Sequence, residues 1–495
     1  MGDPAFGFAE WTIAQIQDAM AAGELSAAEL TTAYLERIEA IDASGPELRS
    51  VIAVDPEATG IARALDEERR DGRVLGPLHG IPVLVKDNIE TAGGTSTTGG
   101  SLALADARPT RDATVVARLR EAGAVILGKA NLSEWANFRS THASSGWSAV
   151  AGQCRNPYAL DRNPCGSSSG SGVAVSANLC VVAIGTETDG SIVCPSTSNG
   201  IAGIKPTVGV VSRAGVVPIS HTQDTPGPMA RTLADAATLL LAMGGADKRD
   251  PATRALEGAL AAREDLRGVR IGVARNLAGF HPAVDSLFED ALDALRELGA
   301  ETIDPVDVPH ADELEDPEFE VLLYEFKADL DAYLAGAPGA AVRSLEELIA
   351  FNEEHRAQEM PFFGQELFEK AVEKGPLTEP AYLEALATCR RLSRDEGLDV
   401  AFASGVDVLV APSGAPAWLT DHVNGDHYVG GNSSPAAVAG TPSVTVPMGL
   451  VSGLPVGVSF LGRAWTDLEV VAIASAFEHA TTHRREPMFL STVPA

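Results

Sequence analysis

The 495-residue sequence predicts an α/β protein with a mixed central β-sheet and one helical insertion. Two observations lead to this fold class. Short apolar runs of strand character alternate with helical patterns along most of the chain. From about residue 305 to 400 the composition becomes acidic and helix-forming, and strand-like sequence returns at 407 with DVLVAPS. No repeat or low-complexity linker separates these regions, so we expect a single domain over 1–495 that holds the insertion at about 305–400.

The first elements follow from helical spacing and capping signals. Apolar residues from Trp11 to Met20 recur at helical spacing, and Gly23 ends the pattern. The sequence SAAE from Ser26 to Glu29 is a capping box, which predicts the start of a second helix. Residues 48–70 are expected to form a strand followed by a helix.

The later elements repeat this strand and helix pattern. Residues 76–91 predict a turn and an apolar strand, Ile81 to Val85, that runs into Lys86. Segment 112–129 predicts a helix followed by the strand AVILGK. Further elements are a buried helix at 231–245, a strand at 269–274 and a helix at 281–298. The apolar stretch 434–461 is broken by prolines and glycines, and it predicts strands and turns rather than a membrane span.

Charge and cysteine usage restrict the class of protein. A net charge of −31 and a pI near 4.6 argue against nucleic acid and membrane surfaces as partners, because both require basic patches. The start MGDPAFGFAEW predicts no signal peptide and therefore a cytoplasmic protein, although a chain trimmed of its leader would read the same way. The five cysteines lack CxxC spacing, which predicts neither a disulfide framework nor a zinc site.

Two familiar motifs occur out of context. Within NPCGSSSGSG (163–172), the pattern GxSxG would make Ser168 a nucleophile, but the preceding NPYALDRNPC contains no strand and the elbow needs one. The segment from Gly123 to Lys129 matches GxxxxGK, yet its intervening residues AVIL predict a strand. Ala130 also stands where a P-loop requires Ser or Thr. We therefore reject both motifs.

Three segments taken together offer a base, a loop rich in hydroxyl groups and a serine beside converging backbone N–H groups. In IPVLVKDNI (81–89), Lys86 ends an apolar strand, where desolvation would lower its pKa and supply a neutral amine as a base. In GTETDGSIVCP (185–195), Ser191 follows Gly190, which lets backbone N–H groups converge as an oxyanion hole requires. CGSSSGSG (165–172) offers a flexible loop rich in hydroxyl groups between them.

This combination resembles the amidase signature family, and the matching blocks extend from about residue 10 to 485. The resemblance implies that family's fold, a large mixed sheet covered on both faces by helices, and its Ser–cis-Ser–Lys triad. Carried over by position, the triad is Lys86, Ser167 and Ser191, with Ser167 following a cis peptide bond. The two serines are 24 positions apart, as is usual in the family.

The family mechanism implies a role for each residue. Neutral Lys86 would draw a proton through Ser167 from Ser191, which attacks the amide carbonyl to form an acyl-enzyme. The proton would reach the leaving ammonia, and water would then clear the acyl group. This chemistry requires no metal or cofactor. The predicted oxyanion hole consists of the backbone N–H groups of Thr188, Asp189, Gly190 and Ser191.

The loop sequences also indicate a substrate class. Cys165, Glu187, Asp189 and Val193 depart from the general family pattern, and they count against a glutaminase component of a tRNA-dependent amidotransferase. The loops look instead like those of bacterial peptide amidases, which release ammonia from C-terminal peptide amides. A small-molecule or peptide amide is therefore the expected partner; the alternatives are small, aryl or fatty amides and the glutaminase subunit. The oligomeric state stays open at this point.

Several other residues are predicted to be structural. Cys165 and Cys194 flank both loops, but the surrounding pattern is that of a serine hydrolase, so both are expected to pack as thiols. Lys205 is expected to form a structural pair and His79 to pack under a loop. The acidic helices after 305 are expected to present a solvated face. Supporting hydrogen bonds are predicted for the remaining serines of the run, Ser168, Ser169 and Ser171.

Overall fold

The computed structural model describes residues 6–258 and 260–494. Residues 1–5, which open the stretch predicted to lack a signal peptide, lie outside the described residues. Among the residues that are described, no helix combines the length and the apolar character needed to cross a membrane.

The strands of the described chain form one large sheet and one short hairpin. They are β1 (Val51–Val54), β2 (Pro82–Lys86), β3 (Val125–Ala130), β4 (Trp147–Ser148), β5 (Gly152–Gln153), β6 (Val182–Glu187), β7 (Ala202–Lys205), β8 (Thr225–Ala230), β9 (Arg270–Val273), β10 (Glu301–Ile303), β11 (Val408–Pro412), β12 (Ser443–Val451) and β13 (Leu454–Leu461). Eleven of these described strands form the large sheet, in the order β1-β3-β2-β6-β8-β7-β12-β13-β11-β9-β10, and β4 pairs with β5. Strand β2 pairs in parallel with β3 and β6, whereas β6 pairs antiparallel with β8, so the sheet is mixed as predicted.

Helices cover both faces of this sheet, which confirms the predicted fold class. They are α1 (Ile13–Ala22), α2 (Ala27–Arg37), α3 (Ala58–Arg70), α4 (Thr114–Glu121), α5 (Ser169–Ser176), α6 (Val193–Ser198), α7 (Leu233–Met243), α8 (Pro282–Glu297), α9 (Glu315–Gly336), α10 (Leu345–Glu354), α11 (Arg356–Glu359), α12 (Glu366–Val372), α13 (Pro380–Arg390), α14 (Asp399–Phe402), α15 (Ser433–Ala439) and α16 (Asp467–Thr481).

Local sequence signals set the ends of the first helices as predicted. Ser26 and Glu29 form a reciprocal capping box at the start of α2. Gly23 ends α1 in the left-handed region at φ 73°, where a residue with a Cβ would be strained. Strand β2 is fully buried along its length, because it lies between two parallel neighbours inside the sheet.

The helical region packs through a cluster of its own. Phe326 of α9 stacks on Phe368 of α12, with ring centroids 5.3 Å apart. Phe138 and Trp135, from the loop after β3, meet these rings edge-on. Aromatic pairs of this kind add to the free energy of burial, so the contact fixes α9 beside the loops that follow the sheet.

Two predictions about these regions are wrong in part. Within 434–461 the prolines and glycines predicted strands and turns, but Ser433–Ala439 forms α15, because a short apolar run has no periodicity that separates helix from strand. The acidic helices are not only a solvated face, since Glu318, Glu325 and Glu359 are buried. Each of them accepts hydrogen bonds from neighbouring segments; Glu359, for example, accepts from the Leu102 N–H at 2.7 Å.

Candidate active site

Lys86 ends β2 and points its amine into a fully buried polar pocket. Its Nζ lies 2.7 Å from Ser167 Oγ, 2.9 Å from Thr186 Oγ1 and 3.2 Å from the Thr186 carbonyl oxygen. Asn88 Nδ2 donates to the same Thr186 hydroxyl at 2.9 Å. A neutral amine has two N–H donors and one lone pair. Two donated bonds to Thr186 therefore leave the lone pair of Lys86 directed at Ser167.

The surroundings of Lys86 favour its neutral form. Burial lowers the pKa of the Lys86 ammonium to about 7, against the weaker opposing effect of the negative charges on Asp224 and Glu187. At neutral pH a substantial fraction of Lys86 is thus an unprotonated amine that can accept a proton. Its side chain is 0% exposed, so the base is out of reach of solvent.

The serine run forms the turn into α5. Ser167 is fully buried, and its peptide bond with Gly166 is cis. The predicted supporting hydrogen bonds of the other serines are confirmed: Ser168 Oγ, Ser169 Oγ and Ser171 Oγ donate to backbone carbonyl oxygens at 3.0, 2.6 and 2.9 Å. Only the Ser167 hydroxyl of this run contacts the lysine amine in the described structure.

Ser191 lies in the loop between β6 and α6. It is 8% exposed and therefore more accessible than Lys86 or Ser167. The Ser168 N–H donates to the Ser191 carbonyl oxygen at 3.2 Å, which brings the two serine loops together. Gly190 adopts φ 75°, and a Cβ there would lie 3.0 Å from Ser433 Oγ, so the loop requires glycine at this turn.

The loop before Ser191 presents free backbone donors. Within the described residues, the N–H groups from Thr188 to Ser191 donate to no protein acceptor. The next two, of Ile192 and Val193, are occupied by Glu187 Oε2 at 2.6 and 2.9 Å. Unoccupied N–H groups in one turn are the donors that an oxyanion requires.

Side chains around this loop hold it in place and add carboxyl groups. Thr188 Oγ1 donates to Asp224 Oδ1 at 2.6 Å, and Gln223 Nε2 donates to Glu318 Oε1 at 2.7 Å. Burial raises the pKa of both Asp189 and Glu318, and the charge of Asp189 raises the pKa of Glu318 further. Helix α9 of the helical region thus places a buried carboxyl group beside the loop.

The prediction that Cys165 and Cys194 pack as separate thiols is wrong. The two form a disulfide with their Cα atoms 5.9 Å apart, whereas Cys154, Cys180 and Cys389 are buried thiols. The partners are 29 positions apart in sequence, and the turn into α5 meets the start of α6 only in the fold. No local spacing signal exists for such a pair.

These loops open into a cavity of about 540 Å³. Cys165, Gly166, Gly190 and Cys194 form its floor, and α9 forms part of its wall. Among the described lining residues none is basic; the charged ones are all acidic, namely Asp189, Glu315, Glu318 and Asp426. A larger cavity of about 930 Å³, beside Arg231 and Glu478, contains none of the predicted site residues.

Sequence reasoning missed Thr186 and Asn88, which position Lys86. Both lie inside the quoted motifs, Asn88 two residues after the lysine and Thr186 five residues before Ser191. Asn88 lies in the turn after β2, so the strand period could not have placed it beside Lys86. The contact with Thr186 depends on the parallel pairing of β2 with β6, in which Val85 lies opposite Ile184.

The other residues predicted to be structural have clear local partners. Lys205 Nζ donates to the Pro206 carbonyl oxygen at 3.1 Å and faces the buried charge of Glu187. His79 Nε2 lies 2.9 Å from the Leu65 carbonyl oxygen, under the loop after α3. Lys129, the lysine of the rejected P-loop motif, is on strand β3 as predicted.

One group of potential metal ligands occurs among the described residues. Atoms of His221, Glu325 and Asp329 lie within 4.8 Å of one another. Glu325 already accepts hydrogen bonds from Tyr382 and Ser220, and Asp329 Oδ2 lies 2.8 Å from His221 Nδ1. The three side chains thus already have protein partners, and they join α9 to the loop before β8.

Comparison with known proteins gives a consistent result. The amidase family profile matches residues 29–471. The X-ray structure of native peptide amidase from Stenotrophomonas maltophilia is similar with a TM-score of 0.94 and 51% identity, over 98% of this chain and 100% of that one. A probable amidase of Arabidopsis thaliana is 40% identical over 98% of this chain and 93% of its own. A glutamyl-tRNA(Gln) amidotransferase subunit of Salinispora arenicola is 37% identical over 94% of this chain and 96% of its own.

Proposed function

The chain belongs to the amidase family and is an amidohydrolase, and from that premise we propose that it hydrolyses the C-terminal amide of peptides to a carboxylate and ammonia. The observation that supports the proposal most directly is the contact of 2.7 Å between Lys86 Nζ and Ser167 Oγ, in a pocket that lowers the lysine pKa to about 7. A neutral amine in hydrogen-bond contact with a serine relay is what a base in this chemistry requires.

In the proposed mechanism Lys86 and Ser167 form a proton relay. Ser191 Oγ attacks the amide carbon while its proton passes to Ser167, whose own proton passes to Lys86 Nζ. The oxyanion is held by the backbone N–H groups from Thr188 to Ser191, which have no other acceptor in the described chain. The proton returns through Ser167 to the leaving nitrogen, ammonia departs, and water enters the same relay to release the acid.

The charges of the cavity support an amide rather than an acid as the substrate terminus. Its described lining carries carboxyl groups and no basic side chain. A C-terminal carboxamide is neutral and can hydrogen-bond to carboxyl groups, whereas a free carboxylate would find no basic side chain among the described lining residues to pair with. The product carboxylate would likewise lack a cationic partner in the cavity, which would favour its release.

The shape of the cavity supports a peptide as the substrate body. A volume of about 540 Å³ holds a ligand of a few residues. Trp418, Tyr428 and Phe319 contribute apolar surface to its lining. Because Glu315, Glu318 and Phe319 belong to α9, we also propose that the region from about 305 to 400 is a substrate-side insertion within one domain.

A glutaminase subunit of a tRNA-dependent amidotransferase is the second candidate, because such subunits are among the relatives. Glutamine carries an α-carboxylate, and a site for it is expected to contain a basic side chain. The described lining of the cavity contains none, which favours the peptide amide.

A substrate panel tests the proposed function. Ammonia release would be measured with a dipeptide amide, an aryl amide, a fatty amide and glutamine. We expect the dipeptide amide to have the highest kcat/KM. Turnover of another amide with none on several dipeptide amides would refute the peptide specificity and leave the amidase activity intact.

Two substitutions test the proposed roles. Ser191→Ala and Lys86→Ala should each lower kcat by about 10³-fold or more, since each removes a group through which the proton passes. Matched controls are Ser404→Ala and Lys248→Ala, outside the cavity, which should retain the parent rate. A normal rate in either site variant would refute the triad.

A further inference from the structure

The Cys165–Cys194 disulfide connects the two loops that carry the proposed catalytic serines. Cys165 lies two residues before Ser167, and Cys194 lies three residues after Ser191. The bond therefore spans the gap across which the proposed mechanism passes a proton. We propose that this disulfide positions Ser167 against Ser191, and that its reduction by a dithiol reversibly slows amide hydrolysis; the second part rests on the proposed function.

A small reductant that enters the cavity can reach the Cys165–Cys194 disulfide. Both Cys165 and Cys194 line the cavity, together with Asp189 and Gly190 of the loop before Ser191. Cys154 and Cys180 are completely buried in the core, and Cys389 lies on α13. A dithiol small enough to enter a cavity of about 540 Å³ thus meets this one disulfide before any other cysteine of the described chain.

The backbone around Cys165 depends on the cross-link. Cys165 adopts φ 59°, in the left-handed region, which is unfavourable for a residue with a side chain. Asn163 Oδ1 accepts from the Cys165 N–H at 2.8 Å, and Ser169 Oγ donates to the Cys165 carbonyl oxygen at 2.6 Å. These contacts lie within the same turn, so they do not hold it against the Ser191 loop.

Few other bonds join the two segments. Ser168 Oγ bonds to the backbone of Thr186 at 3.0 and 3.1 Å and ties the start of α5 to β6. Nearer to Ser191 and Cys194, the described structure has the bond of 3.2 Å from the Ser168 N–H to the Ser191 carbonyl oxygen, and the bond of 2.9 Å from Asn199 Nδ2 to the Pro164 carbonyl oxygen. Without the cross-link, the turn can relax from its strained conformation and move Ser167 relative to Ser191. A misplacement of about 1 Å at reacting groups can cost about 10²-fold in rate.

The redox step is a thiol–disulfide exchange. One thiolate of the dithiol attacks a sulfur of the Cys165–Cys194 bond and forms a mixed disulfide, and the freed cysteine takes up a proton. The second thiol of the reagent attacks the mixed disulfide, forms a cyclic disulfide and releases the second cysteine thiol. Two electrons pass from the dithiol to the protein, and an added small-molecule disulfide reverses the exchange.

The test combines thiol counting with kinetics on the full chain. Alkylation of the denatured protein followed by mass measurement should find three free thiols before treatment with dithiothreitol and five after it. We expect kcat on the best amide to fall about tenfold or more in proportion to the fraction reduced, with little change in KM. Oxidised glutathione should restore it.

Two variants provide controls. The Cys165→Ser, Cys194→Ser double variant should have the low kcat of the reduced protein and no response to dithiothreitol. Cys389→Ala should keep the parent kcat and the full response. If the double variant fails to fold, the reduced parent protein carries the test, with circular dichroism to show that it stays folded.

Three results would overturn the proposal. One is five free thiols in protein already treated with oxidant. Another is an unchanged kcat in fully reduced protein, and the third is loss of activity only together with unfolding, which would make the bond structural. If the oxidised protein hydrolyses no amide of the panel, the proposed function fails, while the thiol count still reports on the disulfide.

Discussion

At the scale of single residues, Thr186 decides how Lys86 presents its lone pair. The Thr186 hydroxyl and carbonyl groups lie 2.9 and 3.2 Å from the amine, and they occupy the two donors of a neutral lysine. Thr186→Val keeps the shape of the side chain and removes the hydroxyl. We expect kcat/KM on an amide to fall about 10- to 100-fold, because the amine loses one of the bonds that orient it towards Ser167.

The control for this prediction is Thr238→Val on α7. The hydroxyl of Thr238 donates only to the Ala234 carbonyl oxygen of its own helix, so its loss should leave the rate unchanged. Equal kcat/KM in the Thr186 and Thr238 variants would show that Thr186 does not orient the base. A normal melting temperature in both would exclude loss of the fold as the cause.

The pH dependence of catalysis is also set by single residues. In the proposed mechanism the base is unprotonated Lys86, so kcat/KM should rise with pH through the lysine pKa of about 7 and level off above it. The charge of Asp224 stabilises the ammonium form and holds this pKa up. Asp224→Asn removes that charge, and the midpoint of the rise should therefore move to lower pH.

This prediction concerns the midpoint and not the rate. Burial raises the pKa of Asp224 to about 6, so the carboxylate is largely charged where Lys86 titrates. The profile would be recorded from pH 5 to 9 for the parent and for Asp224→Asn, with Asp395→Asn, which changes an exposed carboxylate, as the control. A midpoint that stays in place or moves to higher pH in Asp224→Asn would contradict the assignment of the base.

At the scale of elements, the junction of β2 and β3 depends on a buried ion pair. Lys129 Nζ lies 3.1 Å from Asp87 Oδ1 and donates to the Ile89 carbonyl oxygen at 2.7 Å and to Thr97 Oγ1 at 2.8 Å. Lys129→Met would leave the buried Asp87 carboxylate without its cation. We expect the free energy of unfolding to fall by about 3–5 kcal/mol, measured by urea denaturation.

The matched control is Lys248→Met, which removes an exposed lysine. Such a change should alter the free energy of unfolding by no more than about 0.5 kcal/mol. Removing both charges, with Asp87→Leu and Lys129→Met, should recover part of the lost stability, because no uncompensated charge then remains buried. A loss below about 1 kcal/mol for Lys129→Met alone would show that the pair does not hold these strands together.

The same elements show what the sequence predicts well. The capping box at Ser26, the glycine stop at Gly23 and the strand that ends in Lys86 are local patterns, and each lies at its predicted position. Local geometry fixes such features because their partners are only a few residues away. The loops proposed to be catalytic are recognisable through family motifs, which are also continuous in sequence.

What the sequence could not predict depends on contacts between distant segments. Cys165 meets Cys194 only because α5 and α6 pack together, and composition gives no sign of that pairing. Glu318 looks like any surface glutamate of an acidic helix until α9 brings it to Gln223. Ser433–Ala439 is too short for periodicity to separate a helix from a strand.

At the scale of the whole molecule, acidic charge dominates both the surface and the site. The net charge of −31 creates a negative potential around the protein, and the cavity adds four carboxyl groups without a basic one among its described lining residues. A cleft lined by one sign of charge raises the local concentration of ligands of the opposite sign. Peptide amides with a free amino terminus or a cationic side chain are therefore attracted, and anionic ones are repelled.

Salt dependence tests this electrostatic preference. We expect kcat/KM for a dipeptide amide with a free amino terminus to fall several-fold between 10 and 500 mM NaCl, because the Debye length shrinks from about 30 Å to a few ångströms and screens the attraction. The N-acetylated form of the same amide is neutral and should change little. An N-acetylated dipeptide amide with a glutamate side chain is anionic and should respond in the opposite direction. Equal salt dependence for all three substrates would contradict this preference. It would show that the net charge of the protein has no effect on how substrates reach Ser191.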